Sequence, residues 1–207
     1  MNVLVVAATK LEIEPFLKKN NKADVLITGV GVPATVFHLT KKLISKNYDF
    51  VFQAGIAGTF NDSINLKDVV LVREDTFGDL GINENGNFKT LFEASFSDKN
   101  DFPYTNGWLV NNDSFFEKKI YPFVKAITVN KITNDHLQIK NMQQKFSAQI
   151  ESMEGAAFHY VCLQQKINFL QLRAISNIVG ERDKTKWQIK NAVNNLNEEL
   201  IKIIDNL

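Results

Sequence analysis

VLVVAATKLEIEPFLKK, residues 3–19, contains two patterns in succession. Val3 to Ala7 is an unbroken apolar run rich in β-branched residues, which is typical of a strand covered on both faces. Residues 10–19 then carry apolar side chains at helical spacing, at Leu11, Ile13, Phe16 and Leu17. The chain therefore begins with a predicted strand followed by a predicted helix.

The same alternation of strand and helix continues along the chain. Further strands are predicted at 23–28, 49–54, 68–73, 126–130 and 169–176, and further helices from 32, at 114–120, 134–146, 153–165 and 183–206. This order predicts an α/β fold over 1–207 as one domain, in which a mixed, largely parallel central sheet lies between helices in three layers. Ligands of such sheets bind where strands end, and Glu12, 55–58 and 176–177 are expected just beyond strands.

Composition limits the class of partner. The chain has 207 residues, 44% hydrophobic and 23% charged, with a formal net charge of +1. Such a balance is typical of a soluble domain and does not favour nucleic acid or a membrane as partner. The N-terminus lacks the basic and long apolar segments of a signal peptide, and the single Cys162 favours a reducing compartment, so we expect a cytoplasmic protein.

A glycine pattern imitates a dinucleotide-binding motif. Gly29-x-Gly31 follows a predicted strand and opens a predicted helix, with Asp49 about 20 residues further on. Asp49 precedes its strand, however, whereas the acidic residue of a true motif ends one. We therefore interpret the glycines as a tight turn that lets the backbone approach a ligand or a neighbouring strand.

Three other pieces of sequence occur together in this chain. They are an acidic residue after the first strand in Thr9-Lys10-Leu11-Glu12, the small-residue segment 54–58, and the pair Met153-Glu154 and Ser176-Asn177. In this order and spacing they resemble the nucleoside phosphorylase and nucleosidase superfamily over about residues 2–206. Within it, ESMEGAA at 151–157 and RAISNIVGERD at 173–183 look most like the futalosine hydrolase branch, which serves menaquinone biosynthesis.

The resemblance implies a role for each motif residue. Glu12 would activate water for attack on C1′ of the ribose, Glu154 would accept hydrogen bonds from the ribose diol, and Met153 would pack under the sugar. Asn177 would bind the base. Adenosine-type members carry Asp there, whereas an amide suits a 6-oxopurine such as hypoxanthine. The expected reaction is hydrolysis of futalosine to hypoxanthine and dehypoxanthine futalosine.

The remaining candidate residues surround these. A list of further substrate-binding candidates comprises Ile56, Ala57, Gly58, Phe77, Asp79, Thr133 and Ser176, with Trp187 also near the pocket. Asp183 is a secondary candidate for the acid that protonates the base. Arg173 and Arg182 are expected in surface or interface ion pairs, with the orientation of carboxylates as the alternative role.

Several alternatives stay open. The family's phosphate-binding arginines are missing at the matching positions, and Ile56 stands where a hydroxyl residue would be, so water is favoured over phosphate. The competing functions are a nucleosidase or phosphorylase acting on methylthioadenosine, adenosylhomocysteine or inosine, and a catalytically silent nucleoside-binding protein. The scattered histidines predict no metal site, and no cofactor is implied. The resemblance also implies a homodimer or higher homo-oligomer.

Overall fold

The computed structural model describes residues 1–19, 22–60, 63–115 and 121–207. Its strands are β1 Val3–Ala7, β2 Asp24–Ile27, β3 Phe50–Thr59, β4 Val69–Phe77, β5 Gly81–Glu84, β6 Asn87–Thr90, β7 Leu109–Val110, β8 Phe123–Thr128, β9 Ile150–Ser152 and β10 Asn168–Ile178. Its helices are α1 Lys10–Lys19, α2 Val32–Ser45, α3 His136–Phe146, α4 Gly155–Gln165 and α5 Ile189–Asp205.

The central sheet is mixed and mostly parallel. Strand β3 pairs in parallel with β1 and β10, and β1 pairs in parallel with β2. Strand β10 continues antiparallel to β4, β4 lies parallel to β8, and β8 lies parallel to β9. Because β9 pairs back onto the end of β3, the strands β3, β10, β4, β8 and β9 close into a ring. The predicted fold class is confirmed, and the closure adds to it.

Helices cover both faces of the sheet, which explains the apolar run in β1. Val3, Val5 and Ala7 pack on the side of α1 and α5, whereas Leu4 and Val6 pack on the side of α2 and α4. Since successive side chains of a strand point to opposite faces, a strand between two helical layers must be apolar throughout. The three predicted layers follow from this packing.

Element boundaries differ from the predictions where the chain approaches the carboxyl ends of the strands. Strand β3 runs on through 55–58, which was predicted as a loop, because the small residues there pair with β10 and β9. Strand β10 likewise includes Ser176 and Asn177. Helix α4 begins at Gly155 and not at 153, and α5 begins at Ile189 after a short 3-10 turn at Lys184–Lys186.

The segment between β4 and β8 contains the β5–β6 hairpin and the short β7. Of the helix predicted at 114–120, residues 116–120 lie outside the described residues. Across the described part of the chain, no helix is both long and apolar enough to cross a membrane.

Candidate active site

A cavity of about 300 Å³ opens at the carboxyl ends of β1, β3 and β10. It brings together most of the candidate residues from six separate parts of the sequence. Those that line it are Glu12, Ile56, Ala57, Gly58, Thr133, Met153, Glu154, Ser176 and Asn177, together with Trp187. The parallel strands direct these segments to one edge of the sheet, as is usual in α/β folds.

Three candidates lie outside the cavity lining. Phe77 ends β4, where it pairs with Thr128. Asp79 accepts hydrogen bonds from the backbone N–H groups of Asn130 and Lys131, at 2.6 and 3.3 Å, so it holds the loop that leads to Thr133. Asp183 accepts from Thr185 and caps the 3-10 turn, which leaves its carboxylate committed there.

Glu12 is held in place on both carboxylate oxygens. Its Oε2 accepts from the backbone N–H and the hydroxyl of Thr9, at 2.9 and 3.0 Å, and its Oε1 accepts from the N–H of Ile56 at 3.2 Å. The contact from the Thr9 N–H is one half of a capping box at the start of α1, of which the T-x-x-E pattern of residues 9–12 is typical. The contact with Ile56 turns the carboxylate toward the cavity, where only 6% of the residue stays exposed.

Helix α1 is kinked directly after Glu12. Ile13 leaves helical geometry at φ −125° and ψ 17°, two residues before Pro15. The Asn197 side chain from α5 inserts at this point, accepting from the Phe16 N–H at 3.0 Å and donating to the Glu12 carbonyl at 2.8 Å. These are the two groups that a regular helix would join to each other, so Asn197 bridges the gap in the ladder.

Glu154 lies at the start of α4, facing the turn at Gly29 and Gly31. The Gly31 N–H donates to its Oε1 at 3.0 Å, and Nη1 of Arg173 lies 3.8 Å from its Oε2. Burial raises the pKa of Glu154, and Arg173 opposes that shift. Gly29 and Gly31 have φ of 85° and 91°, so the turn approaches a carboxylate through its backbone, in the way predicted for glycines there.

Arg173 corrects an expectation, because it belongs to the buried site and not to a surface pair. It is 1% exposed, and it donates to Oε1 of Gln53 at 2.9 Å and to the carbonyl of Ile56 at 3.4 Å. A side chain at Gly55 would collide with its guanidinium and would approach Glu12. The cation therefore sits beneath Glu12 and Glu154, where its charge compensates two carboxylates.

A β-bulge in β10 shapes the far side of the cavity. Ile175 pairs with Ala57 and Asn177 pairs with Gly58, so Ser176 is the extra residue. The Ser176 hydroxyl donates to Oδ1 of Asn177 at 2.7 Å, and Nδ2 of Asn177 donates to the carbonyl of Ile178 at 2.9 Å. One amide hydrogen and one oxygen lone pair of Asn177 are left to face a ligand.

Sequence reasoning missed Glu151, which also lines the cavity. It lies in β9, a strand too short to show a period, and 7% of it is exposed. Its Oε2 is buried without a hydrogen-bond partner. Burial raises the pKa of Glu151 to about 7, and the negative charge of Asp79 adds to the shift. The one sequence signal that could have identified Glu151 is its position directly before Ser152-Met153-Glu154, within the motif that carries the resemblance.

Charge in the cavity opposes the binding of a small anion beside Glu12 and Glu154. Among the described lining residues, Arg182 is the one cation, and it is exposed, whereas Glu12, Glu151, Glu154 and Glu181 contribute carboxyl groups. No cluster of metal-ligating side chains was found within the described ranges. The arrangement provides carboxylates for proton transfer and for hydroxyl groups, with an amide across from them.

Comparison with known proteins gives consistent matches over the whole chain. The family model described as Phosphorylase superfamily matches residues 6–207. The futalosine hydrolase of Thermus thermophilus is 27% identical over 208 residues, covering 93% of this chain and 91% of the relative.

Solved structures agree on the fold. A 5′-methylthioadenosine/S-adenosylhomocysteine nucleosidase from Colwellia psychrerythraea, in complex with adenine, superposes with a TM-score of 0.82 at 18% identity, covering 100% of this chain and 96% of that one. The futalosine hydrolase of Helicobacter pylori gives a TM-score of 0.82 at 14% identity, covering 100% and 98%. At these identities the likeness concerns the fold alone.

Proposed function

Because the chain belongs to the phosphorylase superfamily, we propose that it is a nucleosidase that hydrolyses the N-glycosidic bond of futalosine and releases hypoxanthine. The observation that carries the proposal is the meeting of Glu12, Glu154 and Asn177 in one cavity. The similarity to futalosine hydrolases over most of the chain supports the choice of substrate, which would place the enzyme in menaquinone biosynthesis.

Glu12 acts on water in this mechanism. Positive charge grows on the ribose as the base departs, and the incoming water must lose a proton as it bonds to C1′. The Glu12 carboxylate takes that proton. Its fixed position, with contacts from Thr9 and Ile56, aims one oxygen at the water without a search among rotamers.

Glu154 and Met153 hold the sugar. A carboxylate accepts two hydrogen bonds from a cis diol, and charge-assisted bonds of this kind are stronger than neutral ones. Arg173 and the Gly31 N–H keep Glu154 oriented toward the cavity. Met153 offers an apolar surface to the ring, and the electron-rich site stabilises the ribose cation.

Asn177 selects the base. Its free amide hydrogen donates to the edge of hypoxanthine formed by O6 and N7, where both atoms are acceptors. The 6-amino group of an adenine base would point an N–H donor at the N–H donor of Asn177. A mismatched pair of polar groups in a closed site lowers kcat/KM for the wrong substrate by orders of magnitude.

Water is the proposed nucleophile. A phosphate would meet four carboxyl groups in this cavity, with Arg182 as the one lining cation among the described residues, so its binding would be opposed by charge. A purine nucleoside phosphorylase remains the second candidate because relatives of that type also match, with the DeoD-type enzyme of Buchnera aphidicola 21% identical over 175 residues.

The test is direct. The purified protein is incubated with futalosine, inosine or methylthioadenosine, with and without phosphate, and the released base is separated by chromatography. We expect hypoxanthine from futalosine without phosphate, and loss of turnover in Glu12→Gln with ligand binding retained. Release of adenine as the main product, or strict dependence on phosphate, would refute the proposal. Absence of turnover with every nucleoside would favour a silent binding protein.

A further inference from the structure

The proposed reaction lacks an acid. As the C1′–N9 bond breaks, its electron pair moves into the base, which must gain a proton to leave as neutral hypoxanthine. An amide such as Asn177 has no proton of suitable acidity to give. Asp183, the candidate from sequence, is turned away to cap the 3-10 turn at Lys184–Lys186. The source of the proton lies elsewhere in the cavity.

Strand pairing places Glu151 opposite Asn177. Gly58 of β3 pairs with Asn177 of β10 on one side and with Glu151 of β9 on the other. Residues paired across neighbouring strands direct their side chains to the same face of a sheet. A Cβ built on Gly58 would point at Nδ2 of Asn177, 3.2 Å away, which identifies this face as the one that carries the amide.

The bare backbone of Gly58 leaves a slot between the two side chains. Two strands separated by a third have Cα atoms roughly 10 Å apart, which leaves room for one planar ring with a polar group on each side. Glu151 and Asn177 both line the cavity, together with Val179, whose Cγ2 lies over Gly58 beside the Asn177 amide.

The carboxyl group of Glu151 is unused by the rest of the protein. Its Oε2 is buried with no partner, which is costly for a polar atom unless a ligand completes its hydrogen bonding. The flanking positions on β3 and β8 are Gly58 and Ile127, which carry no charge. The charged group that shifts the pKa of Glu151 is Asp79, from the segment after β4. The other charged groups of the cavity lining on that side are Glu181, which is paired with Lys186, and Arg182.

We propose that Glu151 faces the purine opposite Asn177 and is the acid that protonates the departing base. This inference rests on the proposed nucleosidase reaction. The proton on Glu151 passes to the ring nitrogen facing it as the C1′–N9 bond breaks, while Glu12 takes a proton from the attacking water. Glu12 then releases its proton to solvent and Glu151 regains one, so that one water is consumed and both residues return to their starting forms.

The pKa of Glu151, raised to about 7 by burial and by Asp79, keeps the acid form populated near neutral pH. As the pH rises above 7, that form is lost. Turnover should therefore weaken on the alkaline side, whereas hypoxanthine, which already carries the transferred proton, should bind more tightly to the carboxylate form of Glu151.

The experiment compares the parent with Glu151→Gln, using whichever of futalosine, inosine and methylthioadenosine the parent cleaves fastest. We expect kcat to fall about 100-fold or more, as is usual on loss of a general acid, with KM changed less than about 3-fold. Glu84→Gln, which removes an exposed strand carboxylate paired with Lys89, is the matched control and should keep parental kcat. A folded Glu151→Gln variant that keeps kcat within about 3-fold of the parent would overturn the inference.

A second variant leaves Glu151 in place. Asp79→Asn removes the charge that helps to raise the Glu151 pKa, so the alkaline decline in kcat should move to lower pH, which a purely structural role would not cause. An unmoved decline would count against the inference.

Hypoxanthine titration by calorimetry covers the case without turnover. The parent Kd should fall between pH 6 and pH 8, flanking the pKa of about 7, because the Glu151 carboxylate accepts from the N–H of hypoxanthine, and Glu151→Gln should show no such fall. Identical pH dependence in both proteins would refute the role of Glu151. Failure to cleave any nucleoside would refute the proposed function separately.

Discussion

The amide at position 177 is a single-atom difference from the carboxyl group expected in adenosine-type relatives. Because Ser176 donates to its Oδ1 and Nδ2 donates to the Ile178 carbonyl, the orientation of the amide is fixed before a base arrives. A fixed amide discriminates between purines by which edge groups it leaves unpaired. In the proposed reaction the choice of base therefore depends on a residue whose position is set by the bulge in β10.

Asn177→Asp should shift specificity toward 6-aminopurines. A protonated Asp donates to N7 while its other oxygen accepts from a 6-amino group, whereas that oxygen meets O6 of hypoxanthine as acceptor to acceptor. We expect the ratio of kcat/KM for methylthioadenosine over futalosine to rise at least about 10-fold. Asn195→Asp, an exposed change on α5 whose amide bonds to the Lys67 carbonyl, serves as control. An unchanged ratio would argue that Asn177 does not touch the base.

Gly58→Ala should block the slot between Asn177 and Glu151. The new methyl group would lie 3.0 Å from Cγ2 of Val179 and 3.2 Å from Nδ2 of Asn177. Hypoxanthine binding, measured by calorimetry, is expected to weaken about 10-fold or more. Gly86→Ala, at the β5–β6 turn, is the control. Its φ of 84° strains the backbone of the variant, but the new methyl group has no atom within 4 Å and lies outside the cavity. Equal binding by both variants would contradict the slot.

The sequence predicted which polar residues meet in the cavity, but it did not predict the buried charge beside them. Glu12, Glu154 and Asn177 were found because their neighbours form motifs, and the roles assigned to them stay predictions. Arg173 was wrongly placed at the surface because an arginine is usually exposed. Its burial depends on Gln53, Glu154 and the Ile56 carbonyl, which arrive from other elements.

At the level of elements, the position of Glu12 depends on two helices from opposite ends of the chain. Because of Pro15 and the kink at Ile13, the Phe16 N–H and the Glu12 carbonyl of α1 do not bond to each other. The Asn197 side chain of α5 bonds to both groups instead. Helix α5 lies within the helix predicted at 183–206, and its apolar stripe of Leu196, Leu200 and Ile203 packs in the core. The periodicity does not show that one polar residue beside the stripe inserts into α1.

Asn197→Leu should lower kcat with little change in hypoxanthine affinity. It leaves the Phe16 N–H and the Glu12 carbonyl unpaired, at a cost of about 1–3 kcal/mol for each buried group, so the turn that carries Glu12 relaxes. The base site is untouched. Leu200→Ala, a buried change in the same helix, should lower stability with kcat preserved below its melting temperature. Equal kcat losses in the two variants would assign Asn197 a structural role only.

Strand boundaries were predicted less well than strand existence. The short β9 has too few residues for a period, and the end of β3 consists of small residues that resemble a loop. Both are strands because the end of β3 pairs with β9 and with β10, and β9 also pairs with β8. The pairing cannot be predicted from the local sequence. The pairing is nevertheless what places Glu151 and Asn177 on one face of the sheet.

For the molecule as a whole, closure of the ring encloses titratable groups that water would otherwise reach. Asp75 of β4 is fully buried, where it accepts from the Thr128 hydroxyl at 3.0 Å and from Nε2 of Gln171 at 3.3 Å. His159 of α4 is also fully buried, with Nδ1 3.0 Å from the Leu109 carbonyl. Sequence gives no sign of these groups' environment, because strands from distant parts of the chain create it.

Opposite pKa shifts should make stability depend on pH. Burial raises the pKa of Asp75 from 3.8 to about 7, so its contribution to stability is complete below pH 4 and is lost as the pH rises through 7. Burial lowers the pKa of His159 from 6.5 to about 3, so its contribution is present above 6.5 and is lost as the pH falls toward 3. The two slopes oppose each other between pH 4 and 6.5.

Asp75→Asn should expose the His159 slope. Each group changes the free energy of unfolding by at most about 1.4 kcal/mol per pH unit, and the variant loses the slope that falls with pH. Urea unfolding between pH 5 and pH 8 should therefore show the variant gaining on the parent as the pH rises. Leu200→Ala removes no titratable group and should lie below the parent by a constant amount. A constant difference for Asp75→Asn as well would mean that Asp75 titrates alike in the folded and unfolded chain, in contradiction to its enclosure by the ring.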